Sequence, residues 1–173
     1  MSLLWAAAGI ASLTAAFAGG DLDETARQGE LAGPVVVEKA LHSTNRQTKL
    51  AGIVAAPAVV DAAELIPDLA DLVAGPDRRT AVPAAQAVVT IAKKLGKRDL
   101  PDDLVAEDLE AWRAAFEAIA RDGKRAVDVR LAALDACVAL AHVLDPKAVG
   151  FDAKALAADP DKDVARVAAQ LAK

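Results

Sequence analysis

The chain has 173 residues and a net charge of −5 at neutral pH, with 54% apolar, 26% charged and 3% aromatic residues. The acidic balance argues against a phosphate-backbone binder, whose surface carries a clustered basic excess. One cysteine, Cys137, leaves no partner for an intrachain disulfide. The length suffices for one domain with a sizeable core, and the alanine- and leucine-rich apolar content predicts an all-α fold with closely approaching helices.

Residues 2–20 carry no charged side chain, and the run from Leu3 to Ala18 is strongly apolar. It closes on Ala16-Phe17-Ala18, a small-x-small pattern, before Gly19-Gly20 and the acidic Asp21-Leu22-Asp23-Glu24. This is the layout of a secretory signal cleaved near Gly19, although its start lacks lysine and arginine. Two other readings stay open: an uncleaved membrane anchor and the first hydrophobic helix of a cytoplasmic fold. Residues 1–18 are therefore assigned as a signal segment, 19–28 as a linker and 29–173 as the folded domain. Export places the protein in the periplasm or outside the cell, and a membrane contact is expected only if residues 3–18 stay in place.

Beyond the linker, helices alternate with breaks rich in Pro, Gly and Asp. The first predicted helix spans 29–42. A second follows Ser43-Thr44-Asn45, which supplies N-cap residues, and reaches Ala56. Pro57 opens a third, ending near Gly75, and a fourth runs from Arg79 to Leu95 with Gly96 as its stop. After a polar connector at 97–101, a fifth helix reaches Asp122, with a break near Glu107-Asp108, and a sixth spans 126–144. A short segment within 147–158 and a last helix after Asp159-Pro160-Asp161 complete the chain. Leu65, Leu69, Leu72 and Val73 step at helical spacing, as do Leu109, Trp112, Phe116, Ile119 and Ala120, and Val129, Ala133, Ala136, Leu140 and Val143. No sustained period-two alternation marks a strand.

The segment Glu64-Leu65-Ile66-Pro67-Asp68-Leu69-Ala70-Asp71-Leu72-Val73-Ala74-Gly75-Pro76-Asp77 resembles the first helix and turn of a HEAT repeat, with Pro67 at the kink position. Val82 and Ala84-Ala85 approximate the second-helix pattern. Asp159-Pro160-Asp161, Val164, Arg166 and Ala168-Ala169 repeat it, Asp128-Val129-Arg130 carries the Val-Arg step, and Asn45–Ala51 is the faintest copy. The resemblance covers residues 29–173 and implies an α-α superhelix of about four HEAT-like hairpins, with residues 96–108 as an insertion. It further implies a concave face made by the second helices, suited to a protein partner. Arg46, Lys49, Arg79, Gln86 and Arg130 are placed there, and arginines of such repeats often cap neighbouring turns. Some members are DNA-base glycosylases or pigment-attaching lyases, but the acidity and the scarce aromatics argue against both.

Residue chemistry offers little to an enzyme. Cys137 lies in Leu134-Asp135-Ala136-Cys137-Val138-Ala139-Leu140, the pattern of a buried helix face, and His142 is about 140° further around that helix. No phosphate loop, nucleophile elbow, HxxxH or HxxE occurs. Asp159-Asp161-Asp163 resembles the start of a calcium loop but lacks its glycine and closing glutamate. Asp102-Asp103 and Glu107-Asp108-Glu110 read as solvated helix starts. Trp112 reads as core or, if exposed, as the best partner anchor. The expectation is a non-catalytic protein-interaction or scaffold module with no metal, cofactor or nucleic acid; an anchored structural protein and a lyase-like enzyme are the alternatives.

Overall fold

A computed structural model describes residues 2–95 and 106–173, with side chains placed from residue 6 onward. The polar connector, the Asp102-Asp103 pair and most of the expected insertion lie outside the described residues. The regular structure among the described residues is entirely helical: α1 (Ser2–Ala18), α2 (Leu22–Ala32), α3 (Pro34–Leu41), α4 (Arg46–Ala55), α5 (Ile66–Ala74), α6 (Arg78–Leu95), α7 (Ala106–Arg121), α8 (Val127–Leu144), α9 (Ala153–Ala157) and α10 (Lys162–Leu171).

The apolar run read above as a signal forms α1, which packs against α2, α3 and α4. Leu13 is fully buried there, and Gly9 sits so close to Val36 that a Cβ would lie 2.9 Å from its Cγ1. Ser12 donates to Gln28 Oε1 at 2.7 Å, and Thr14 to Thr48 Oγ1 at 3.1 Å. Residues 19–28, expected as a linker, are helical from Leu22 because Asp21 caps α2, its carboxylate accepting the Glu24 N–H at 2.8 Å. The expected helix over 29–42 is two helices. Gly33, at φ +80°, takes a turn that disfavours side-chain-bearing residues, and Pro34 then opens α3.

The expected helix from Pro57 to Gly75 is also divided. Short 3₁₀ turns cover Ala56–Ala58 and Ala62–Leu65, Asp61 between them has φ +50°, and only Ile66–Ala74 is α-helical. Pro67 explains the late start. It has no N–H to give a preceding turn, so it is accommodated in the first turn of α5 and kinks nothing. The remaining helix bounds that fall on described residues lie within a few residues of prediction, except that α7 runs unbroken through Glu107-Asp108, where a break was expected, and the expected start of that helix lies outside the described residues. The three predicted stripes form core: Leu69, Val73, Phe116, Ala133 and Leu140 are fully buried.

Sequential helices pack as pairs, α3 on α4, α5 on α6, α7 on α8 and α9 on α10. Across the pairs, α4 touches α6, α6 packs extensively on α8, and α8 touches α10. Arginine–aspartate ties run along the starts of these helices. Arg46 Nε meets Asp77 Oδ2 at 3.1 Å, Arg78 Nε meets Asp128 Oδ2 at 2.6 Å, and the Arg130 guanidinium grips the Asp159 carboxylate. Arg125 adds a tie from the α7–α8 turn to the carbonyls of Gly75, at 2.8 Å, and Ala74.

Candidate functional site: the groove over α6 and α8

The seam between α6 and α8 opens outward as a groove of about 870 Å³. Its floor is apolar: Val82 and Val89 come from α6 and Leu131 and Val138 from α8, all half-buried, with buried Ala92, Ala132 and Ala139 between them. Helical spacing builds both walls. Gln86, Thr90 and Lys93 recur on one side of α6, and Asp128, Asp135 and His142 on one side of α8, so each polar stripe lies beside an apolar one. Pro146 and Leu171, from the α8–α9 turn and from α10, line the groove as well.

Electrostatics give this groove a defined polarity. Partial burial against the apolar floor raises the Asp135 carboxyl above its ordinary value, and the Lys93 charge across the groove opposes that rise. Asp128 spends Oδ2 on Arg78, while its Oδ1 is buried without a hydrogen-bond partner. That oxygen is closed off by the protein, so the exposed carboxylate on the α8 wall is that of Asp135. The α8 wall therefore accepts hydrogen bonds and the α6 wall supplies the cation.

Of the residues expected on a partner face, Gln86 alone lines this groove. Arg46 is exposed and tied to Asp77, Arg79 is exposed beyond the groove, and Lys49 is half-buried on α4. Arg130 belongs to the interior, at 2% exposure. Its Nε donates to the Ala120 carbonyl at 2.7 Å, and its other nitrogens hold Asp159. Trp112 is half-buried and packs on the hydrophobic core. The sequence signal for the missed residues was present: Asp128, Leu131, Asp135, Val138 and His142 step by three and four, a second stripe on a helix whose core stripe was already apparent.

The other chemistry-bearing residues have structural partners. Cys137 is buried, its thiol lies 3.4 Å from the Arg113 carbonyl, and burial pushes its pKa up to about 12. It faces away from His142, which is exposed on the groove wall. In the Asp159-Asp161-Asp163 cluster, Asp159 holds Arg130, Asp161 caps α10, and Asp163 pairs with Arg166 at 2.9 Å. Every member of that cluster is engaged in helix starts and ties. Arg113 bridges Glu110 and Glu117 and donates to the Gly150 carbonyl at 2.6 Å, fixing the turn before α9 to α7. Burial alone would raise Glu117, but the Asp152 N–H and the Arg113 and Arg121 guanidiniums together hold it below its ordinary value. Among the described residues, no helix is long and apolar enough to cross a membrane. No family model, curated protein or solved structure matches this chain.

Proposed function

We propose that the chain is a non-catalytic protein-interaction module, a small HEAT-like superhelix of about four hairpins whose α6–α8 groove receives a helical segment of a partner protein. The observation that carries this reading is the groove itself, with an apolar floor and polar walls that run along α6 from Val82 to Lys93 and along α8 from Asp128 to Val143, about 17 and 23 Å of helix. That shape suits an amphipathic helix with its apolar face down. The partner's flank would present N–H or cationic groups to Asp135 and an acceptor to Lys93. The pairing of consecutive helices, the contacts α4–α6–α8–α10 and the recurrent arginine–aspartate ties support the superhelical reading.

The test is a photo-crosslinking amino acid placed at Thr90 in the groove and, separately, at Ala114 on the exposed side of α7. The reading predicts a partner captured from Thr90 and not from Ala114, and lost when Leu131→Lys is added. Capture independent of position or of Leu131 contradicts it.

For the N-terminus, export rests on the uncharged run and the Ala16-Phe17-Ala18 pattern, and would leave the faces of α2–α4 beneath α1 uncovered. The second reading, an uncleaved first helix, is favoured by the burial of Leu13 and the Gly9–Val36 contact. The N-terminal mass of protein from its native host separates them: a chain starting near Gly19 supports export, and an intact chain in the cytosol overturns it.

A further inference from the structure

At the end of α3, three ligand-bearing side chains converge on one point. Glu38 and His42 are one turn apart on the same side of the helix, and Asp68 approaches from the first turn of α5. One ligand atom from each lies within 4.8 Å of the other two. His42 Nε2 is 3.1 Å from Asp68 Oδ1. The positions are held from behind: the His42 N–H donates to the Glu38 carbonyl at 3.1 Å, fixing the i, i+4 relation, and the Asp68 side chain is 22% exposed on a helix whose start is set by Pro67. Glu38 and His42 are exposed, so an ion from solution has direct access.

We infer that Glu38, His42 and Asp68 form a zinc site. Bonds of 2.0–2.1 Å at tetrahedral angles place neighbouring ligand atoms roughly 3.3 Å apart, close to the His42–Asp68 separation. Zinc would take the place between Nε2 and Oδ1, with the neutral His42 ring carrying its one N–H on Nδ1. Glu38 closes the third position through a side-chain rotation, and water takes the fourth. One imidazole with two carboxylates selects a borderline divalent ion. Calcium prefers six to eight oxygens and magnesium keeps most of its waters, so the imidazole tips this donor set toward a borderline ion.

The site would also do mechanical work, because it bridges α3 to α5, two helices that otherwise touch over only a few residues. Ion binding would close that junction between consecutive helix pairs and stabilise it in proportion to occupancy. Asp68 also lies within the segment that resembles a HEAT first helix, while the convergence with Glu38 and His42 depends on the Gly33-Pro34 break that gives α3 its own direction.

The test is calorimetric titration of the full chain with zinc chloride, in a buffer that does not bind metal and with magnesium in excess. Cobalt(II) absorption reports coordination geometry. One equivalent of saturable zinc binding is expected, weakened at least about tenfold in His42→Ala and in Asp68→Asn, and unchanged in His142→Ala. Because His42 is exposed and Asp68→Asn keeps the size of a half-buried side chain, circular dichroism of the variants should match the wild type. His42→Gln repeats the test with a side chain of similar size. A thermal midpoint that rises with zinc in the wild type and not in His42→Gln ties binding to the α3–α5 junction. Absence of saturable binding, or equal binding in wild type and His42→Ala, overturns the assignment and leaves the His42–Asp68 contact as a hydrogen bond only.

Discussion

Helices α1–α4 and the α6–α8 region solve the same packing problem by different means. In the first, small residues bring backbones together. A Cβ on Gly29 would lie 2.4 Å from the Ala55 Cβ, and one on Gly52 would lie 3.1 Å from the Leu41 nitrogen. In the second, α6 and α8 contain no glycine and bury alanines beside larger side chains: Phe116, Leu134, Leu140 and Ile91 are essentially fully buried. A charged pair is buried among them, with Arg130 and Asp159 side chains at 3% and 9% exposure. The α1–α2–α3 surface carries a pocket of about 470 Å³, whereas the α6–α8 seam carries the groove of about 870 Å³.

The contrast can be broken most strongly at the buried charge. Arg130→Ala leaves the Asp159 carboxylate and the Ala120 carbonyl without their donor, and a loss of about 3–5 kcal/mol in denaturant unfolding is expected. Leu13→Ala, which empties a buried position under α1, should cost about 2–5 kcal/mol in the full-length chain. A near-neutral result would detach α1 from the core. Gly29→Val must push the Ala55 backbone aside and should cost about 1–3 kcal/mol, while Gly123→Ala, with open space around its Cβ, should cost little. Arg46→Ala breaks an exposed ion pair and should change stability by about 0.2–1 kcal/mol, less in high salt.

The same charge pair sets an acid limb. The Arg130 guanidinium holds the Asp159 carboxyl below its ordinary value, and the Asp161 N–H adds to that against burial. A folded pKa below the unfolded one, near 3.9, means that its contribution is complete above the unfolded value and is lost as pH falls through the folded one. Asp159→Asn should therefore flatten the fall in stability below about pH 4. At the other end of the scale, Cys137 should react with a thiol reagent at pH 8 only on unfolding, because burial and its raised pKa withhold the thiolate.

Helical character and the main core stripes were legible because periodicity and alanine content act locally. The α2–α3 break was also written locally, as Gly33-Pro34, but an apolar stretch on both sides masked it. Pro67 shows the opposite error: a family pattern suggested a kink within a long helix, where the missing N–H in fact places it in a first turn. The groove was partly legible. Gln86 was placed from the second-helix pattern, but Asp128, Asp135 and Lys93 matter only because α6 and α8 lie side by side, a tertiary fact. Arg130 could not be separated from exposed arginines by sequence alone, since its burial depends on Asp159, 29 positions away. Glu38 and His42 stand one helical turn apart in the sequence, but their convergence with Asp68 is set across two helices.

The groove reading is tested most directly by the affinity of a partner captured at Thr90 for the wild type, for Leu131→Lys and for Ala114→Lys. Groove docking predicts a loss of about tenfold or more for Leu131→Lys, the scale of one anchor contact, with Ala114→Lys binding as the wild type does. Equal affinity of all three proteins would contradict it.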